Sequence, residues 1–127
     1  MFGHGVGVDL TRRDLQWELK DKGLPWELAK GWDNSAPCSA IVPRQSVADP
    51  LQGEIGLKVN GEVRQLSDVK DHVWSVPETL SYLSSYVTLM AGDLIFMGTP
   101  EGVGPLTKGD RVEAWIEGIA AMRFEIV

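Results

Sequence analysis

Hydrophobic residues recur along this chain with two spacings, one typical of helices and the other of strands. Leu15 and Leu19 lie four residues apart and would share the buried face of a helix. Gly23 and Pro25 follow as stop signals, so a first helix is predicted over about residues 12–21.

A second helix is predicted over about residues 76–87, where four apolar positions repeat at helical spacing. These positions are Val76, Leu80, Leu83 and Val87. Ser75 and Glu78 are spaced as a capping box, in which each side chain satisfies a backbone N–H group of the first turn. Thr11 and Asp14 have the same spacing and predict a similar start for the first helix.

The other apolar segments predict strands separated by glycine-rich turns. They are "FGHGVGVDL", the two arms of "GLKVNGEVRQ", "DLIFMGTP", "RVEAWIEG" and "AAMRFEIV". Asn60-Gly61 predicts a hairpin turn, because both residues tolerate positive φ. The alternating glycines of the first segment would let other atoms approach it closely. The pattern therefore predicts a β-rich α+β fold, a mixed sandwich or roll with two short helices.

The bulk properties exclude several classes of protein. A chain of 127 residues suits one domain, predicted over residues 1–127. The formal net charge of −6 argues against a nucleic-acid partner, and no apolar run approaches the roughly 20 residues that a membrane span needs. Cys38 is the only cysteine, so we expect no intrachain disulfide, a cytoplasmic location and a small buried thiol.

Two short segments near the N-terminus carry candidate functional side chains. Asp9 ends a glycine-rich strand just before a helix, where its carboxylate could face a cation or simply cap the helix. Arg13 and Gln16 are three residues apart and face the same way, toward either a ligand or solvent. Lys30 lies between Trp26 and Trp32, whose rings could orient its ammonium toward an anion or merely cover its aliphatic stem.

The segment "GDLIFMGTPEGVGPL" is the other candidate. Its glycines suggest a phosphate-binding loop, but no Lys-Ser/Thr pair follows them, so the nucleotide motif fails. The turn at Gly98 and Thr99 could present backbone N–H groups and a hydroxyl to a carboxylate, or be an ordinary exit from a strand. His4 and His72 have no metal-binding spacing and are interpreted as structural or surface residues.

Four segments taken together resemble the fumarylacetoacetate hydrolase family, in its small bacterial branch of acylpyruvases and fumarylpyruvate hydrolases. The segments are "GVDLTRRDLQ", "GLPWELAKGWDNSAPCSAIVP", "LKVNGEVRQ" and "GDLIFMGTPEGVGPL". The resemblance implies that Asp9 binds a divalent cation and that the other site residues contact substrate. Those residues are Arg13, Gln16, Lys30, Gly98 and Thr99, of which the first three are also assigned to catalysis.

The resemblance also implies a reaction. A hard cation, Mg²⁺ or Mn²⁺ and alternatively Ca²⁺, would chelate the oxo-acid end of a 2,4-dioxo acid such as an acylpyruvate or fumarylpyruvate. An activated water would attack the distal carbonyl, and carbon–carbon cleavage would release pyruvate. Such enzymes are expected to be homodimers that serve catabolism of aromatic compounds. Other members decarboxylate oxaloacetate or isomerise related oxo acids, so both activities stay open.

This sequence departs from the family pattern at its start. The family has an upstream Glu-x-Glu segment that supplies two further metal ligands, and a lid with a His-Glu pair. Neither occurs here, and Met1 matches a position within a strand, so we expect the chain to be the C-terminal part of a longer enzyme. The alternative is a non-catalytic module that retains the fold and a dimer surface.

Overall fold

The computed structural model describes residues 1–127 and is rich in sheet, with two α-helices, as predicted. The strands are β1 (Gly3–His4), β2 (Val42–Pro43), β3 (Glu54–Val59), β4 (Glu62–Asp68), β5 (Arg111–Ile116) and β6 (Ala120–Glu125). The α-helices are α1 (Arg13–Asp21) and α2 (Val76–Ser84), and short 3₁₀ helices span Glu27–Ala29, Arg44–Ser46 and Val69–Asp71. Neither α-helix is long and apolar enough to cross a membrane.

A four-stranded antiparallel sheet in the order β4-β3-β5-β6 forms the main layer. The predicted hairpin turn joins β3 to β4, with φ values of 52° at Asn60 and 86° at Gly61. The Asn60 side chain also donates to Asp110 and accepts from the Arg111 backbone N–H, which ties the turn to β5. Val112 is fully buried on β5, so the small core lies against this sheet.

The glycine-rich N-terminal segment is only partly a strand. β1 pairs with β2, and farther along a single bridge joins Gly7 to Cys38. A Cβ atom on Gly7 would lie 2.7 Å from Cε1 of Phe96, so a larger residue here would require the Phe96 ring to move. Cys38 is exposed, contrary to the prediction of a buried thiol, and Sγ donates to the Ala36 carbonyl 3.2 Å away.

The first predicted helix is present, but the prediction that Thr11 and Asp14 form its capping box is wrong. Arg12 is the N-cap residue and makes no side-chain cap, because the helix begins one residue later than the Thr11 capping box requires. The Thr11 hydroxyl instead donates to the Asp9 carbonyl. Leu15 and Leu19 are only half-buried, and Gln16 is the one buried side chain of α1.

The second helix begins as predicted and ends three residues early. Ser75 Oγ accepts from the Glu78 N–H at 3.4 Å, and the Glu78 carboxylate accepts from the Ser75 N–H at 2.8 Å. The Ser75 hydroxyl also donates to the Glu78 carboxylate at 2.6 Å, and this bond, followed by the one from the Ser75 N–H, lowers the pKa of Glu78. After Ser84 the chain turns, with the N–H groups of Tyr86 and Val87 both donating to the Leu83 carbonyl.

The prediction that "DLIFMGTP" forms a strand is wrong. Residues 94–106 have no regular secondary structure and make no hydrogen bond between main-chain groups. A strand requires ladder hydrogen bonds to a neighbouring strand, and no strand pairs with this segment. Its local β propensity is therefore not realised.

Candidate active site

A cleft of about 880 Å³ separates the start of α1 from the four-stranded sheet. Five of the six site residues that the sequence predicted line it together. They are Asp9, Arg13, Lys30, Gly98 and Thr99. Gln16, the sixth, is buried behind this wall, and neither His4 nor His72 reaches the cleft.

Asp9 and Lys30 form an ion pair that joins the segment before α1 to the end of the 3₁₀ helix Glu27–Ala29. Lys30 Nζ donates to Asp9 Oδ2 at 2.6 Å. The 3₁₀ helix Glu27–Ala29 sets the position of Lys30, because its buried Ala29 carbonyl accepts the Arg12 N–H at 2.9 Å. Asp9 therefore binds a lysine and does not cap α1.

Arg13 is held by the buried amide of Gln16. Gln16 Oε1 accepts from Arg13 Nη1 at 2.6 Å, one turn along α1. Because Gln16 is only 7% exposed, its position is set by packing and it can fix the guanidinium at the cleft. The three-residue spacing predicted this shared face. Gln16, however, accepts a hydrogen bond from Arg13 and does not line the cleft itself.

The Trp32 ring, which was expected to lie beside Lys30, contacts the guanidinium of Arg12 instead. The Arg12 guanidinium lies over the Trp32 ring, 4.9 Å from its centroid, whereas Lys30 turns away to Asp9. A guanidinium stacks on an indole more readily than an ammonium because it is planar and weakly hydrated.

The Gly-Thr-Pro turn approaches the cleft from the opposite wall. Gly98 has φ of +108°, a conformation that residues with side chains rarely adopt. Thr99 is exposed, and its Oγ1 accepts from Gln65 Nε2 at 2.8 Å. The sequence reasoning missed Gln65, although a polar residue within the predicted strand "GEVRQ" was an available signal.

Charge in the cleft is opposite in sign to that of the whole chain. Four basic side chains line it and only two acidic ones, although the chain carries a formal net charge of −6. The basic residues are Arg12, Arg13, Lys30 and Arg64, and the acidic ones are Asp9 and Asp14. This excess favours an anionic ligand.

The residues of this chain do not by themselves form a metal site. No three His, Cys, Asp or Glu side chains come together in the structure. Asp9 offers one carboxylate, and that carboxylate is already paired with Lys30. Mg²⁺ and Ca²⁺ take at least six oxygen ligands, so Asp9 could supply only one part of a coordination shell.

Comparison with known proteins identifies the family. The model of the fumarylacetoacetate hydrolase C-terminal domain matches residues 1–127, and the chain belongs to this family. Its architecture is shared by solved members, including fumarylpyruvate hydrolase of Pseudomonas aeruginosa, solved in complex with Mn²⁺ and pyruvate. That protein is 45% identical with a TM-score of 0.95, over 99% of this chain and 54% of its own.

Two further relatives show the range of the family. The mitochondrial oxaloacetate tautomerase of Mus musculus is 47% identical over 98% of this chain and 56% of its own length. Maleylpyruvate hydrolase of Sphingobium sp. SYK-6, in complex with manganese(II) and pyruvate, is 30% identical with a TM-score of 0.84 over 99% of this chain and 44% of its own. The chain thus spans about half the length of the relatives that it matches.

Proposed function

We propose that this chain carries the substrate-binding wall of a metal-dependent hydrolase, which cleaves a carbon–carbon bond in acylpyruvate- or fumarylpyruvate-type 2,4-dioxo acids and releases pyruvate. One observation supports this most directly. Lys30, Arg13 and Thr99 come from distant parts of the sequence and meet at one cleft in which basic groups predominate.

Each of these side chains suits one part of a 2-oxo acid. The planar guanidinium of Arg13 matches the two oxygens of a carboxylate, and Gln16 holds it in place. Thr99 offers a hydroxyl to the same carboxylate, next to the open backbone of Gly98. Lys30 supplies a positive charge near the oxygen on which negative charge develops, with Asp9 fixing its direction.

A divalent cation is part of this proposal. The support is that two related hydrolases were solved with manganese and pyruvate. Mn²⁺ and Mg²⁺ both suit oxygen ligands, and Ca²⁺ is a further candidate. Asp9 would contribute one ligand, and the remaining oxygens would come from groups outside this set of residues.

A second candidate is tautomerisation of oxaloacetate. The support is that the mouse oxaloacetate tautomerase is as similar to this chain as the Pseudomonas hydrolase is. Both reactions need a bound 2-oxo acid and a group that stabilises an enolate, so the cleft suits either one.

Binding and turnover should be measured separately. Calorimetric titration with pyruvate, with and without Mn²⁺ or Mg²⁺, tests the substrate-binding wall. Absorbance of an acylpyruvate and of enol-oxaloacetate then follows hydrolysis and tautomerisation. Asp9→Ala and Lys30→Ala are the test variants. Lys22→Ala is the matched control, because Lys22 pairs with Glu18 at a similar distance of 2.7 Å but outside the cleft.

We expect Lys30→Ala to weaken pyruvate binding about tenfold or more, since it removes a charge-assisted contact. Lys22→Ala should bind as the parent does. Metal-dependent loss of either substrate would identify the reaction. A folded chain that binds pyruvate without turnover would be the binding wall alone. A folded chain that does not bind pyruvate under any condition would contradict the proposal and favour the non-catalytic module.

A further inference from the structure

Gln65 on β4 is a buried polar side chain that contacts the Gly-Thr-Pro turn. It is only 9% exposed. Its Nε2 donates to Thr99 Oγ1 at 2.8 Å and to the Pro100 carbonyl at 2.6 Å. These bonds span 34 and 35 residues of sequence, so they connect the sheet to a distant loop.

The chemistry of these partners determines the direction of each hydrogen bond. The Pro100 carbonyl can only accept, so the nitrogen of the Gln65 amide must face it. The same nitrogen carries two hydrogens, and the second is directed to Thr99. The Thr99 oxygen is therefore an acceptor from Gln65, and its own hydrogen is donated to no group of this chain. That hydroxyl hydrogen is left for an external acceptor.

No other hydrogen bond connects this loop to the rest of the protein. Residues 94–106 make no hydrogen bonds between main-chain groups, and the two bonds from Gln65 are the only ones that reach them. A packing contact adds to this anchor, because the backbone of Gly102, at φ +97°, lies against the Arg64 carbonyl with no room for a Cβ atom. Gln65 thus supplies the only hydrogen bonds that hold the turn against the sheet.

A β-bulge sets the direction of Gln65 itself. Leu57 pairs with Gln65 and Lys58 pairs with Val63, so Arg64 is an extra residue in β4. Bulges of this kind redirect the neighbouring side chain. The bulge and the burial of Gln65 together indicate a built arrangement.

We infer that Gln65 is a positioning residue for substrate. It holds the Thr99 hydroxyl at the cleft. Because the Gln65 amide donates to the Thr99 oxygen, the hydroxyl hydrogen is free to point toward a carboxylate oxygen of a 2-oxo acid. This inference rests on the proposed function, because it requires an anionic ligand beside Thr99. It also gives the site a preference for ligands that accept a hydrogen bond at this position.

The test is a double-mutant cycle on pyruvate affinity in the full chain, measured by calorimetry in the presence of Mg²⁺. Gln65→Met keeps the length of the side chain and removes its donors, and Thr99→Val removes the hydroxyl. Thr99→Ser, which keeps the hydroxyl, should rescue binding. Gln45→Met is the control, because Gln45 is an exposed glutamine that makes no side-chain hydrogen bond. The thermal midpoint of each variant shows whether it is folded.

We expect Gln65→Met and Thr99→Val each to weaken pyruvate binding about tenfold, and the double variant to be no weaker than Thr99→Val alone. Equal weakening by Gln65→Met in the parent chain and in the Thr99→Val variant would mean a purely structural role and overturn the inference. No effect of Gln65→Met on affinity would overturn it as well.

The same data separate this inference from the proposed function. If Thr99→Val and Gln65→Met bind normally while Lys30→Ala does not, the inference fails and the proposed function stands. If Gln65→Met does not fold, Gln65→Leu replaces it, because leucine also lacks hydrogen-bond donors, adds no charge to the cleft and should weaken binding to the same extent. If the folded parent chain does not bind pyruvate at all, both fail.

Discussion

The ion pair between Asp9 and Lys30 contributes little to stability. Their charged groups lie 2.6 Å apart, yet their side chains remain 44% and 36% exposed. Ion pairs with this much exposure stabilise a fold by less than about 1 kcal/mol. The pair is therefore better explained by the position it gives to the Lys30 ammonium than by stability.

Two glycines of the same loop provide a prediction at the residue scale. Gly98 has φ of +108°, whereas Gly104 has an ordinary φ, and a methyl group added to either would have no other atom within 4 Å. Gly98→Ala should therefore cost about 1 kcal/mol or more through backbone strain alone. Gly104→Ala should be neutral. Chemical denaturation and pyruvate titration of both variants provide the measurement, and equal behaviour would contradict the assigned strain.

At the scale of elements, the start of α2 is set by residues close to it in sequence. Its capping box and its first turn lie within four residues of sequence, and the structure contains both. By contrast, α1 lacks a side-chain cap and depends on the contact between Arg12 and Ala29. The two helices therefore respond differently to changes at their first turns.

The capping box of α2 predicts a dependence on pH. The Ser75 hydrogen bonds lower the pKa of Glu78 below its ordinary value of 4.5, so its contribution to stability is present above that value. It is lost as the pH falls through the lowered folded-state pKa. Glu78→Gln should make the free energy of unfolding less dependent on pH over this acidic range.

Denaturation across a series of acidic buffers provides the measurement. Glu101→Gln is the control, because the carboxylate of Glu101 makes no hydrogen bond or ion pair, and its profile should follow that of the parent chain. Identical acid profiles for Glu78→Gln and the parent would show that the cap does not contribute to acid sensitivity.

At the scale of the whole molecule, much apolar surface is exposed. Only 11 of the 127 residues are buried. Val73, Tyr86 and Met90, which flank α2 in sequence, are 93%, 72% and 71% exposed. Large exposed apolar areas are typical of interaction surfaces. The single domain, the homodimer and the cytoplasmic location stay predictions, as does a role in aromatic catabolism.

The homodimer prediction can be tested by sedimentation velocity over a range of concentrations. We expect a species of twice the chain mass that dissociates on dilution. Val73→Lys should weaken the association, because it would bury a charge in an apolar interface. Val127→Lys places the same change at the exposed chain end and should have no effect. A monomer at every concentration would contradict the prediction.

Short-range interactions explain what the sequence determined by itself. The α2 cap and the Asn60-Gly61 hairpin depend on residues a few positions apart, whose conformational preferences are local. The family segments likewise identified Asp9, Arg13, Lys30 and the Gly-Thr-Pro turn as candidate site residues before their geometry was known. Their convergence on one cleft agrees with that expectation, while their roles stay predictions.

Only the tertiary structure decided features that depend on distant partners. The segment 94–106 has strand propensity but pairs with no strand, so it is irregular. Cys38 is exposed, and the exposure of a side chain depends on which distant segments pack over it. Gln65 reaches Thr99 across 34 residues of sequence, and no local pattern encodes that contact. A hydrogen bond or a ladder needs both partners in place, and the folded chain alone determines which distant groups meet.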